Sequence, residues 1–244
     1  MANEGTPASR RHLYSTPDGV VTLTASVSRG LGFDWAAAVD HLASIDPRLA
    51  VLIARVGPAR LELHEFPSTF EALARSIVFQ QLTGKAAATI HGRLTGLFPA
   101  ARVTPEPLLA QPDHYLRAVG LSRGKIAALR DLATRTLDGT VPEQSQLHSM
   151  SDEAIVERLT AVRGIGRWTV EMLLMFALGR PDVLPAQDYG VRLGFKLTYR
   201  KRAMPTPTEL ARRGERWRPF RTAASWYMWR AVDLARRADE ETPR

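Results

Sequence analysis

Between Leu159 and Phe195 the chain places a Gly-x-Gly turn, Gly164-Ile165-Gly166, between two segments of helical apolar period. Val162 and Ile165 are apolar and can anchor it in a core. Glycine at 164 and 166 permits positive φ and leaves backbone amides uncovered. Arg167 then opens a helix with an apolar stripe of Val170, Leu173, Leu174 and Ala177, at i, i+3, i+4 and i+7. Gly179 and Pro181 end it. Unpaired N–H groups and a favourable dipole at that helix start suit a phosphate oxygen. A tight turn between two packed helices has the same pattern, so the glycines alone do not separate binding from structure.

Helical signals dominate elsewhere. Asp34 can cap a helix through Leu42, and Asp46-Pro47 pairs a cap with proline at the first helical position. Ser68 with Glu71 reads as a capping box for a helix through Gln80. Further helices are predicted from Thr83 to Phe98, after Thr104-Pro105, and from Gly124 to about Leu137. Others follow Ser151 and Thr206-Pro207, and a final helix carries Trp226 to Arg237. One alternating stretch, Val21 to Val27, suits a short strand. The pattern is that of an all-α protein with roughly ten helices. Residues 1–33 read as an N-terminal extension with an unstructured tail, and residues 34–240 as the folded domain.

Composition excludes several chemistries. The 244 residues contain no cysteine, so disulfides, a thiol nucleophile and thiolate-bound zinc or iron–sulfur clusters are ruled out. The six histidines are scattered and form no i, i+4 pair, which argues against a metal centre. No apolar run reaches the length of a membrane span, and the polar N-terminus lacks the apolar core of a secretory signal. A cytoplasmic bacterial protein, monomeric and working at the nucleoid, is the corresponding expectation.

The net charge of +8 is concentrated near the C-terminus. Between Lys196 and Arg244 there are thirteen Lys/Arg against six Asp/Glu. The dense part comprises Arg200, Lys201, Arg202, Arg212, Arg213, Arg216, Arg218 and Arg221. Such a patch attracts a polyanion. A solvated helix face would look the same.

The string Val162-Arg163-Gly164-Ile165-Gly166-Arg167-Trp168-Thr169 is followed by a lone aspartate, Asp188, 22 residues after the second glycine. Here the chain resembles the helix–hairpin–helix DNA glycosylases, and most closely their 3-methyladenine DNA glycosylase II branch. The resemblance spans residues 34 to 238. It implies two helical subdomains flanking a cleft, double-stranded DNA with damaged bases as partner, and no organic cofactor. The larger bacterial members carry an N-terminal β domain, for which about thirty residues leave too little chain.

Such an enzyme takes its target base out of the stack. The resemblance assigns Arg163, Gly164, Ile165, Gly166 and Arg167 to DNA binding. Gln80, Gln81 and Leu82 sit at the turn of a helix–turn–helix entering the minor groove, with the wedge at Gln81 or Leu82. A core leucine flanked by capping glutamines is the structural alternative. Trp168, Met172, Tyr189 and Trp229 fall where the family lines its base pocket. Met172 stands where a relative has tyrosine, which alters the ring surface offered to a cationic base. Trp217 and Trp226 read as core. Backbone carbonyls of Thr160, Val162 and Ile165 match a monovalent-cation site, for a structural Na+ or K+.

Asp188 is the candidate catalytic group. Read on its own it is an N-cap. The two roles are compatible, because a helix N-terminus stabilises a carboxylate anion. An anion beside the deoxyribose can stabilise an oxocarbenium-like transition state or deprotonate water. The implied activity is hydrolysis of the N-glycosidic bond of alkylated purines. Two alternatives remain at this point. A bifunctional glycosylase/lyase for oxidised bases needs a lysine directly after Gly-x-Gly-Arg, where this chain has Trp168. A non-catalytic DNA-damage binder would have no use for Asp188.

Overall fold

The structure is a computed structural model that describes residues 30–241. The strand expected around Val21 lies outside the described residues. Among them the fold is all-α, with no strand. The helices are α1 (Trp35–Ile45), α2 (Pro47–Val56), α3 (Thr69–Phe79), α4 (Gly84–Thr95), α5 (Pro105–Ala110), α6 (Asp113–Ala118), α7 (Arg123–Leu137), α8 (Gln144–Leu147), α9 (Asp152–Thr160), α10 (Arg167–Phe176), α11 (Tyr189–Thr198), α12 (Pro207–Gly214) and α13 (Arg221–Glu241). No helix among the described residues is long and apolar enough to cross a membrane.

Local capping sets most of these boundaries. Asp34 accepts from the Ala36 and Ala37 amides, and Asp46 from those of Arg48 and Leu49. Thr206 and Glu209 complete a reciprocal capping box. Ser68 makes only half of the box expected of it. Its hydroxyl takes the Glu71 amide and donates to Glu71 Oε2 at 3.1 Å, while the Glu71 carboxylate reaches no Ser68 amide and forms a two-pronged ion pair with Arg102 at 2.8–3.1 Å. Helix α4 stops at Thr95, short of the predicted Phe98, and the chain turns so that Phe98 is buried in the core. The short α6 and α8 escaped the periodicity argument because each buries a single leucine, Leu116 or Leu147.

The helices pack as two sets. The N-terminal pair α1–α2 joins the C-terminal α11 and α13, and α12 packs on α11. The middle of the chain forms the second set, in which α3, α5 and α6 pack on α7, α4 packs on α3, and α10 on α9. One continuous apolar core runs through both. The connecting segments are stitched together by the His64 amide on the Phe176 carbonyl (2.6 Å) and the Gly32 amide on the Gly179 carbonyl (3.1 Å). Within the first set, α11 and α13 approach very closely at Gly194, where a Cβ would lie 1.9 Å from the Met228 carbonyl oxygen. Trp217 and Trp226 are buried in this core, as the sequence indicates.

Candidate active site and DNA-binding face

The hairpin connects α9 to α10. Val162 and Ile165 are buried beneath it, and the Ile165 amide donates to the Val162 carbonyl at 3.1 Å. Ile165 can therefore meet a ligand only through its backbone. The two glycines behave differently. Gly164 has φ +78°, the left-handed region that disfavours side chains, and its missing Cβ would sit 3.2 Å from that of Ala128. Gly166 does not use positive φ: it is extended, at φ −94° and ψ 167°, with open space where a Cβ would point. Gly166 is the N-cap of α10, and no side chain caps that helix. The Thr169 amide donates to the Gly166 carbonyl at 3.0 Å, and the Arg167 and Trp168 amides ahead of it have no acceptor among the described residues, as at a helix end that suits an anion. Arg163 and Arg167 flank it, both exposed. The Arg163 amide donates to Asp131 Oδ2 at 2.7 Å, which ties the hairpin to α7.

The second turn, between α3 and α4, lies against the first. Gln80 Nε2 donates to the Gly164 carbonyl at 2.9 Å, so this side chain braces the hairpin. Gln81 is exposed with φ +57°, an unusual conformation for a residue with a side chain. Leu82 is 39% exposed and does not join the core. Lys125 reaches the same region, its Nζ donating to the Val78 carbonyl at 2.6 Å, and burial lowers its pKa from the ordinary value.

Asp188 lies where the two helix sets meet. It is the N-cap of α11, with Oδ1 accepting the Val191 amide at 2.7 Å. Oδ1 also accepts the Trp229 indole N–H from α13 at 2.9 Å, and Oδ2 that of Trp168 from α10 at 2.8 Å. An N-cap needs only the first of these bonds. Two indole donors from opposite sets fix the orientation of the carboxylate plane. Trp229 is buried, whereas Trp168 is 47% and Tyr189 66% exposed, and Met172 is half-buried against the core. Trp168 is thus both bonded to the carboxylate and exposed, and Tyr189, the first residue of α11, is exposed beside it in sequence.

Two contributors were not evident in the sequence. Gly190, in the first turn of α11, leaves room for Trp229: a Cβ there would lie 2.7 Å from the indole Cδ1 and 3.2 Å from Asp188 Oδ1. The available signal was the Gly190/Gly194 spacing of four, which puts both on one helix face. Glu171 is a buried carboxylate three residues after Trp168, ion-paired with Arg167 at 3.0 Å. Burial pushes its pKa up from the ordinary value, the Arg167 pair opposes this, and the Asp188 charge adds to the rise.

Apart from Arg216, which pairs with Asp46 at 3.4 Å, the arginine-rich segment divides into two groups. Arg218 and Arg221 are bound into an ion network with Asp182 and Glu215, in which Arg221 Nε lies 2.7 Å from Asp182 Oδ1 and Arg218 Nε 2.8 Å from Glu215 Oε2. These two hold the α10–α11 connection against the start of α13. Arg200, Lys201, Arg202, Arg212 and Arg213 remain exposed, with no ion pair among the described residues.

Comparison with known proteins places this geometry. DNA-3-methyladenine glycosylase 1 of Schizosaccharomyces pombe is 39% identical over 203 residues, covering 80% of this chain and 86% of that protein. The solved structure of the S. pombe 3-methyladenine DNA glycosylase in complex with abasic DNA matches with a TM-score of 0.74 at 38% identity, covering 82% of this chain and 98% of the other. A DNA-3-methyladenine glycosidase from Bacillus halodurans matches with a TM-score of 0.75 at 36% identity, covering 82% and 91%. The family profile described as HhH-GPD superfamily base excision DNA repair protein matches residues 74–219, more than half of the chain. The hairpin, the facing turn and the bridged aspartate therefore sit in a protein that belongs to the HhH-GPD superfamily of base excision DNA repair proteins.

Proposed function

We propose that the protein is a monofunctional DNA glycosylase that hydrolyses the N-glycosidic bond of 3-methyladenine-like alkylated purines in double-stranded DNA. The names of its relatives support the substrate class, and the abasic DNA bound to one of them is the product such a reaction leaves. The observation that carries the reading is the Asp188 carboxylate held by two indoles and a helix N-terminus.

The chemistry follows from that placement. The C1′–N bond breaks with its electron pair leaving on the base. An alkylated purine already carries positive charge, so it departs without a proton from the protein and no second carboxylate is needed. Asp188 stabilises the positive charge that develops on the sugar and takes the proton of the water that adds to C1′. The rings of Trp168 and Tyr189 offer π faces to the cationic base, worth ~1–2 kcal/mol when desolvated. Gln81 or Leu82 fills the gap left in the duplex, while the α10 amides with Arg163 and Arg167 hold the backbone. Thr160, Val162 and Ile165 offer carbonyls to a structural Na+ or K+. Val162 already accepts one hydrogen bond, which leaves one lone pair for the ion. The working state is a monomer on nucleoid DNA in the cytoplasm. A lyase reading lacks its lysine, because Trp168 occupies that position.

The test is Asp188→Asn. Its amide oxygen can keep the Val191 and Trp229 bonds, so the fold should survive. The amide nitrogen would then face the Trp168 N–H without an acceptor. Single-turnover release of 3-methyladenine should fall by about 10²–10³-fold, the usual loss for a preorganised electrostatic group. Affinity for lesion DNA should hold or rise. Near-wild-type excision with a lowered melting temperature would leave Asp188 as a cap alone.

A further inference from the structure

Helix α11 has two functional ends. The Asp188 end carries the chemistry, and the Tyr199 end opens onto a cavity of about 340 Å³. Ten residues of helix separate the ends, about 15 Å at 1.5 Å per residue. No residue of the Asp188 constellation lines the cavity. Five cations do: Arg48, Arg200, Lys201, Arg213 and Arg216. Phe195 and Tyr199, stacked at 4.3 Å, and the buried Trp217 complete its wall.

One carboxylate, Asp46, is bonded among these charges, and its oxygens are already engaged. Oδ1 caps α2, and Oδ2 takes the Tyr199 hydroxyl at 2.6 Å and Arg216 at 3.4 Å. Arg48 donates to the Tyr199 carbonyl, which offsets the negative end of the α11 dipole at this point. Arg200, Lys201 and Arg213 make no ion pair among the described residues.

The backbone gives a second, independent sign. The Lys201 amide donates to the Lys196 carbonyl (2.9 Å) and the Arg200 amide to that of Leu197 (3.2 Å). This is a Schellman turn, whose left-handed position is usually glycine. Arg200 occupies it at φ +50°. The chain thus holds an arginine where glycine would fold more easily, and that arginine faces a cavity already crowded with cations. Strained residues of this kind gather at ligand clamps.

We propose that this cavity is a phosphate-binding site, distinct from the hairpin and from the Asp188 pocket. Planar guanidinium forks from Arg200 and Arg213 suit phosphate oxygens, and Lys201 adds a point charge. The phosphate belongs either to a free anion such as pyrophosphate or to the DNA backbone away from the lesion.

The test uses the full chain, wild type, Arg200→Gly, and the triple variant Arg200→Gly/Lys201→Ser/Arg213→Ser. Titration calorimetry with pyrophosphate at fixed ionic strength should show one site in wild type and at least tenfold weaker binding in the triple variant. Arg200→Gly should bind more weakly and melt at or above the wild-type temperature, a combination that a purely structural arginine would not give. The salt dependence of binding to an undamaged duplex separates the two sources. A slope shallower by about one phosphate equivalent in the triple variant, roughly 0.9 on a log–log plot, assigns the site to DNA even if pyrophosphate fails to bind. An unchanged slope with pyrophosphate binding lost assigns it to a free anion. Equal pyrophosphate affinity in all three proteins, or no pyrophosphate binding together with an unchanged slope, overturns the proposal. Saturating single-turnover excision should be unaffected throughout, so a failure here is separable from a failure of the glycosylase reading.

Discussion

The hairpin at 164–166 and the turn at 80–82 lie side by side and solve the same geometric problem in opposite ways. Each needs one residue in the left-handed region. The hairpin uses glycine, Gly164 at φ +78°, and the facing turn uses Gln81 at φ +57°. A turn that presents bare amides gains from having no side chain. A turn that must push a side chain outward keeps one despite a conformational cost of about 1–2 kcal/mol. The hairpin is also anchored by two buried apolar residues, whereas Leu82 next to Gln81 stays exposed. The Gln80 bond to the Gly164 carbonyl couples the two. The contrast lies in what each turn presents: backbone amides at the hairpin, an exposed side chain at Gln81.

The strongest way to break the comparison is Gly164→Ala. Its Cβ enters the left-handed region and meets Ala128, so stability should fall by about 1–2 kcal/mol and affinity for DNA at least tenfold. A thermal melt and a binding titration read both. Unchanged affinity would reduce the hairpin to a connector. Gln81→Gly is the converse. It should fold at least as well as wild type and excise several-fold more slowly, because the turn relaxes while one of the two side chains proposed as wedge is lost. Unimpaired excision would give the wedge to Leu82 alone.

Gly166→Ala has a smaller expected effect. Nothing within the protein opposes a Cβ there, so the melting temperature should hold while DNA affinity drops a few-fold. A fall in melting temperature without loss of affinity would mean that Gly166 serves the fold.

Glu171→Gln is the smallest and most specific. The folded-state pKa of Glu171 is raised, mainly by burial, so between its ordinary value of 4.5 and that raised value the native state binds more protons than the unfolded one. Its contribution to stability therefore declines as pH rises through that window. Glutamine should remove the decline and flatten the melting temperature against pH above 4.5. Parallel pH curves for the two proteins would show that Arg167 fully compensates the buried charge.

Much of the fold could be read in the sequence because its signals are local. Asp34, Asp46, Ser151 and Thr206 cap helices with bonds to amides two or three residues away, and these were found from residue type and spacing. Helices α6 and α8 were missed because one buried leucine each sets no period. In the arginine segment, composition could not separate Arg221, locked onto Asp182, from Arg200, which faces an open cavity. Both are arginines in a basic stretch, and only their distant partners distinguish them.

The sequence by itself determined the side-chain-capped helix starts at Asp34, Asp46, Ser151 and Thr206, the Gly-x-Gly hairpin and the presence of an aspartate at the mouth of a helix. Those follow from backbone preferences and bonds spanning at most four residues. Only the tertiary structure decided what that aspartate faces. Trp168 and Trp229 lie 20 and 41 residues from it and reach it because Gly190 admits one ring and the two helix sets close around the other. Gln80 reaches Gly164 across 84 residues, and Arg48 meets Tyr199 across 151. Contacts at such separations are set by which apolar faces pack together, and that is a property of the whole core.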